Sequence, residues 1–327
     1  MTFRLPTPLA AGIAALSFLT LAGNAAAQYP IKPIKWIVPI AAGGPNDIMS
    51  RAVASELAIA VGQPVIIENR VGGAYIVGTE AAAKSAPDGY TLLTAPAALL
   101  VFQKLTHLKL PYDTQKDFAY IGIVANSVMG LFVHASVPVK TVQELVTYAK
   151  ANPGKLNYGT SGVGGRFHLA TEFFQRRTDT KMEHIPFKGA AQFIPELIAG
   201  RIEVLFFPPV AQLTSQVKAG KLRALAMATE ERFADMPDVP TMSESGVREF
   251  TFPDWIAVVT PAGTPRPIID RLNRELSKAV YAPGVKKPFA DNAFVPLTST
   301  PEQLVQIVDR DIKYWGPVLK ALGVQQE

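Results

Sequence analysis

The chain is 327 residues long, 48% apolar, with 24 Gly, 27 Pro, no Cys and a formal net charge of +5. That length supports two domains around separate cores. Without cysteine there are no disulfides, thiolate metal sites, cysteine nucleophile or lipidated N-terminal cysteine, and basic residues scattered without a run argue against a nucleic-acid partner.

In chain order, the first 27 residues stand apart. Arg4 gives a thin positive start, Leu9 to Leu21 is an unbroken small and apolar run, and Ala25-Ala26-Ala27 forms an A-x-A cleavage site before Gln28. The run is short against the ~18 residues needed to span a bilayer. Residues 1–27 are therefore expected to be a cleaved signal peptide, releasing a soluble product outside the cytoplasm.

From Tyr29 strands and helices alternate. The pattern predicts strands over 35–39, 64–68 and 91–95, with helices over 47–61 and 77–85 between them. Asp47 suits an N-cap or a first helical turn. The strand at 35–39 leads through Ala41-Ala42-Gly43-Gly44-Pro45-Asn46 into the first helix. Such a turn exposes unpaired backbone N–H groups and the positive end of a helix dipole, a ready site for an anion.

Strands follow over 118–124 and 131–134, then a helix over 141–151 whose Thr141-Val142-Gln143-Glu144 start reads as a capping box. A second glycine turn comes next, Gly159-Thr160-Ser161-Gly162-Val163-Gly164-Gly165, leading into a helix to about 177. Beyond it lie strands over 183–187, 202–207, 222–229 and 255–259. Helices are predicted over 191–199, 210–219, 266–279, 301–309 and 312–322. Two glycine turns, one in each half, suggest a ligand held between two similar α/β lobes. In sheets of this kind ligands bind where loops leave the carboxyl ends of strands.

Side-chain chemistry is thin. Ser161 lacks the spacing of a nucleophile elbow, since Gly162 stands where that motif does not want it; a hydroxyl lining an anion site fits better. His168 and Glu172 are four apart on one helix and His184 follows, but no His-Glu-x-x-His pattern supports a metal. His168 serves equally as a ligand contact or a lobe contact. Neither glycine turn matches G-x-G-x-x-G or a phosphate loop. Tyr75, Phe206, Phe207 and Trp255 suit core packing better than ligand stacking. Arg51, Arg166 and Lys188 are candidate carboxylate partners, with solvated positions as the plain alternative.

With the turns placed, the sequence resembles the substrate-binding receptors of tripartite tricarboxylate transporters, the Bug family. The blocks that carry the resemblance include Ile37-Val38-Pro39 with Gly43-Gly44 and Asp47, Glu68-Asn69-Arg70, Ala86-Pro87-Asp88-Gly89-Tyr90, Asn157-Tyr158-Gly159, His168-Leu169-Ala170, Pro186-Phe187-Lys188-Gly189 and Pro261-Ala262-Gly263-Thr264-Pro265. They run in one order over nearly all of the chain after the leader. The resemblance implies an α/β two-lobed clamshell, the periplasmic-binding-protein fold. Each lobe would be a mixed, mostly parallel sheet flanked by helices, with the ligand in the interlobe cleft. The first lobe is expected over 28–124 plus 253–327 and the second over 125–252.

The implied binding set is Ala42, Gly43, Gly44, Pro45, Asn46 and Asp47 on one jaw and Ser161, Gly162, Val163, Gly164 and Gly165 on the other. His168, Tyr75, Ala95 and Pro208 complete it. The family usually carries two prolines where this chain has Ala41-Ala42, a glycine pair with asparagine at Ala74-Tyr75-Ile76, and often Phe-Asp-Asn at Phe207-Pro208-Pro209. The departures suggest a more apolar pocket without an ammonium partner. The expectation is a periplasmic, monomeric receptor without cofactor or metal that delivers a small organic carboxylate to membrane transporter subunits. A sensory receptor for a signalling partner and an exported serine hydrolase using Ser161 are the alternatives.

Overall fold

The structure, a computed structural model, describes residues 29–322 except 74, 107, 108, 164, 249, 251 and 253. The expected leader at 1–27 and Gly164 lie outside the described residues. The first half supplies β1 (Ile34–Val38), α1 (Pro45–Val61), β2 (Val65–Asn69), α2 (Ile76–Ala83), β3 (Thr91–Pro96), a π-helix at Ala98–Gln103 and β4 (Phe118–Ser127). Then come β5 (Gly130–His134), α3 (Val142–Ala151), β6 (Asn157–Thr160), α4 (Arg166–Thr178), β7 (Glu183–Pro186), α5 (Ala190–Ile198), β8 (Val204–Phe207), α6 (Ala211–Lys218) and β9 (Leu222–Met227). The chain ends with β10 (Trp255–Pro261), α7 (Arg266–Ala279), α8 (Pro283–Asp291), β11 (Phe294–Pro296) and α9 (Pro301–Leu322).

These elements form two sheets, ordered β11-β4-β10-β3-β1-β2 and β7-β6-β8-β5-β9. The chain leaves the first sheet between Ser127 and Gly130 and returns between Met227 and Trp255. At this boundary the Ser127 N–H donates to the Asp254 carbonyl at 2.9 Å, tying the two crossing segments together. Both sheets are mixed as expected, but they are less parallel than expected. β1 runs parallel to β2 and β3, whereas β10 is antiparallel to both β3 and β4. In the second sheet β6 is parallel to β7 and β8, while β5 is antiparallel to β8 and β9. The cause is the double crossing: β10 returns from the second lobe and enters the first sheet from the opposite end.

Alternation along β1 sends its side chains to opposite faces. Trp36 and Val38 join Met49, Val53, Leu57, Leu272, Leu276 and Phe289 on one side. Ile37 joins Leu93, Leu99, Val259, Leu304 and Val308 on the other. The second core gathers Phe132, Tyr158, Leu169, Phe174, Phe193 and Phe206, and is extended by Phe102 and Trp315 from the π-helix and α9.

Four further features depart from the sequence reading. The break expected between 309 and 312 is absent, and α9 is continuous. Asp311 inside it is buried and accepts the Trp255 indole N–H at 2.9 Å, a tertiary contact that local periodicity does not register. The helix α8 was not expected because prolines at its start and at Pro288 disguise it. The π-helix and β11 were also unanticipated, being short and held by packing.

Candidate functional site

β1 feeds a turn in which Gly43 takes a left-handed φ of 80° and Gly44 caps α1, with Pro45 at the first helical position. No side chain caps this helix start. Asp47 falls in the first turn and braces the loop from below: it is buried, and its Oδ2 accepts the Gly43 N–H at 2.8 Å and Arg51 Nε at 2.9 Å. Its Oδ1 accepts Asn69 Nδ2 at 2.8 Å, and that amide also reaches the Ile40 carbonyl at 3.1 Å. Burial opposes the charge, but the bonds from Arg51, Gly43 and Asn69 outweigh it and hold the Asp47 carboxyl below its ordinary pKa. The Gly43 donor is therefore spent within the turn, and the Gly44 N–H leans on the Ala41 carbonyl at 3.4 Å.

The helix α2 sits beside this turn because Gly78 packs against it: a Cβ there would fall 2.8 Å from Pro39 Cβ. Tyr75 caps α2 with φ 85° and is half-buried. Burial raises the pKa of its hydroxyl, with Arg166 opposing and Asp254 adding to the shift, which puts a first-lobe side chain in the electrostatic reach of α4 and the crossing segment.

The second turn follows β6. Gly165 caps α4, again without a side-chain cap, and Ser161 and Val163 are exposed. Thr160 organises the turn: Oγ1 accepts the Gly162 N–H at 3.1 Å and shares a 2.6 Å hydrogen bond with His184 Nε2. The His184 and His168 ring centroids are 4.5 Å apart, and Tyr158 stacks on His184 at 5.0 Å. Tyr158 and Gln175 both donate to Glu172 Oε1. Burial, then the neighbouring His168, push His184 down to about 4, and burial lowers His168. Both shifts favour the neutral imidazole.

Arg166, the first residue of α4, donates from Nη1 to Asp254 Oδ1, with side chains only 15% and 5% exposed. Among the described residues the guanidinium makes no other hydrogen bond, although it lies 4.5 Å from the Phe167 ring centroid. Among the described residues Asp254 Oδ2 is buried without a hydrogen-bond partner, as is Ser127 Oγ. Burial pushes the Asp254 carboxyl up, while Arg166 pulls it back down.

The expected residues divide accordingly. Ala42 and Gly43 are exposed on one turn, Ser161 and Val163 on the other. Ala95 is wholly buried in the first-lobe core, and Pro208 is buried at the end of β8. Phe206, Phe207 and Trp255 are buried. Arg51 is committed to Asp47 and Asn69. Ser161 has no hydrogen-bonded base among the described residues, and His184 is engaged by Thr160, so no nucleophilic pair is assembled. Glu172 is occupied by Tyr158 and Gln175, and no group of three metal-ligating side chains occurs among the described residues.

Sequence reasoning left out Asn69, Thr160 and Asp254. Asp254 had a signal, as a lone acid in the apolar stretch from Phe250 to Val259, where a buried carboxylate requires a partner.

The family model described as tripartite tricarboxylate transporter family receptor matches residues 49–324. The BugT protein of Bordetella pertussis is 34% identical over 315 residues, covering 94% of this chain and 96% of that protein. An adipate-bound R. palustris structure superposes with a TM-score of 0.80 at 28% identity, over 90% of this chain and 98% of that one. The malate-bound MatC of Rhodopseudomonas palustris gives 0.77 at 27% identity, over 89% and 100%.

Proposed function

The chain belongs to the tripartite tricarboxylate transporter receptor family, and from that premise we propose that it captures a small organic carboxylate between its lobes for the membrane subunits of such a transporter. It is a solute-binding receptor, not an enzyme. One observation carries the ligand reading: each sheet sends a parallel strand through a glycine turn into a helix start that no side chain caps, at Gly44 and at Gly165. Backbone donors and the dipole at such ends favour an anion.

In this reading the turn from Ala42 to Asn46 and the turn from Ser161 to Gly165 line the cleft with Tyr75. Asp47 and His168 support it from behind, and Ala95 and Pro208 shape it without touching the ligand. Residues 1–27 direct export and binding takes place in the periplasm, in a monomer without cofactor. No helix among the described residues is long and apolar enough to cross a membrane.

The test is a thermal-shift screen with mono-, di- and tricarboxylates, aliphatic and aromatic, and amino acids. A ligand at a hundredfold excess over Kd stabilises the folded state by about 2.7 kcal/mol, a readily measured shift. A rise with at least one carboxylate supports the reading; no rise with any overturns it.

A further inference from the structure

We propose that Arg166, held by Asp254, is the residue that takes the ligand's carboxylate, and that the ligand carries only that one charge. The inference rests on the carboxylate-receptor reading and specifies its ligand class. The Arg166 guanidinium is largely buried, yet among the described residues only Nη1 is engaged in a hydrogen bond, by Asp254 Oδ1. The other guanidinium nitrogens are not sealed in the core, so their edge is open to an incoming carboxylate, which matches it with two parallel bonds. Its position at the first turn of α4 adds the uncapped helix start to the same anion.

The opposite jaw offers the uncapped backbone of the α1 start but no comparable guanidinium. The Gly43 N–H is already given to Asp47, and the Asp47 carboxylate is buried directly beneath the turn. A second ligand carboxylate there would meet a like charge and a used donor. The charge inventory agrees. Asp47 is balanced by Arg51 and Asp254 by Arg166, while His168 and His184 are held neutral. Glu172, within α4, is hydrogen-bonded by Tyr158 and Gln175, and Lys188 is exposed on the β7–α5 loop. The two helix starts, each worth roughly half a positive charge, together add enough for one anion. The surroundings of Arg166 suit an apolar ligand body: the Phe167 ring beneath it and Phe207 at 4.7 Å from Phe167.

Asp254 is a positioning residue, since it acts through Arg166. Its removal unmasks the guanidinium and leaves the site one charge more positive. The experiment is calorimetric titration at neutral pH with matched probes that differ by one charge: hexanoate, monomethyl adipate and adipate, and 4-methylbenzoate against terephthalate. Wild type is expected to bind a singly charged probe at least about tenfold more tightly than its doubly charged match. Asp254→Asn should move that ratio toward the dianion by about fivefold or more, a change that a purely structural role does not produce. The double variant Arg166→Gln with Asp254→Asn replaces the ion pair by a neutral one, keeps the fold and should weaken the singly charged probe by about tenfold or more. Tighter binding of the dianion by wild type, or undiminished binding by the folded double variant, overturns the inference and leaves the receptor reading standing. Binding of no carboxylate probe by wild type overturns both.

Discussion

The indole of Trp315 meets the ring of Phe173 edge-on, with centroids 4.8 Å apart at 62°. Trp315 belongs to α9 on the first lobe and Phe173 to α4 on the second, and Phe102 and Phe252 close the cluster at 5.3 and 5.0 Å from the indole. Phe173 lies two turns along the helix that starts at Arg166, so the cluster sets how α4 rests on the first lobe. Trp315→Ala opens a cavity there and should cost about 3–5 kcal/mol of unfolding free energy, read by urea denaturation. A loss under about 1 kcal/mol would mean that the cluster does not join the lobes.

Asp47 braces the first turn from below through Gly43, Arg51 and Asn69. Asp47→Asn removes the charge that Arg51 and the Gly43 N–H depend on and should destabilise by about 2 kcal/mol at pH 7. Because the folded pKa is depressed, the wild-type contribution is present above the ordinary carboxylate value and is lost as pH falls through the lower folded value. The gap between wild type and variant should therefore close in acid. Denaturation midpoints at pH 7 and near pH 3 check this; a constant gap would contradict it.

The histidine pair gives a second, separate pH window. His184 titrates at 6.5 when free and at about 4 when folded, and His168 is shifted the same way. The folded state binds fewer protons, so stability is full above about 6.5 and falls as pH drops toward 4. His184→Gln should flatten that part of the stability–pH curve. NMR titration that finds His184 half-protonated near pH 6.5 would refute the burial argument.

Two glycines should fail for different reasons. At Gly43 a Cβ meets nothing within 4 Å, but φ is +80°, so Gly43→Ala should cost about 1–2 kcal/mol through the backbone alone. At Gly159 a Cβ would lie 2.4 Å from Ile202 Cδ1, so Gly159→Ala forces overpacking worth about 1–3 kcal/mol. Melting temperatures distinguish these costs from a neutral change, and ligand binding should suffer more in the first variant, which reshapes a jaw.

Much of the fold was legible because its signals are local. The apolar run Trp36-Ile37-Val38 before Gly43-Gly44 gave the strand and turn, and the helix at 266–279 appears with the expected bounds. Thr141 caps α3 and accepts the Glu144 N–H at 3.1 Å, although Glu144 reaches back to Lys140 rather than to Thr141 itself. The prolines of α8 and the three-residue β11 gave no comparable pattern, since both are held by neighbours distant in the chain.

The sequence by itself determined the two strand–turn–helix units, the α/β class and the family, because spacing, turn glycines and capping act over a few residues. The tertiary structure decided which groups those turns leave free. Arg166 and Asp254 are 88 positions apart and meet only because the chain crosses back between the lobes. Asp47 spends the Gly43 donor only because Asn69, on the next strand, and Arg51 hold its carboxylate in place. Charges and donors are cancelled or exposed by such long-range meetings, and one-dimensional patterns do not contain them.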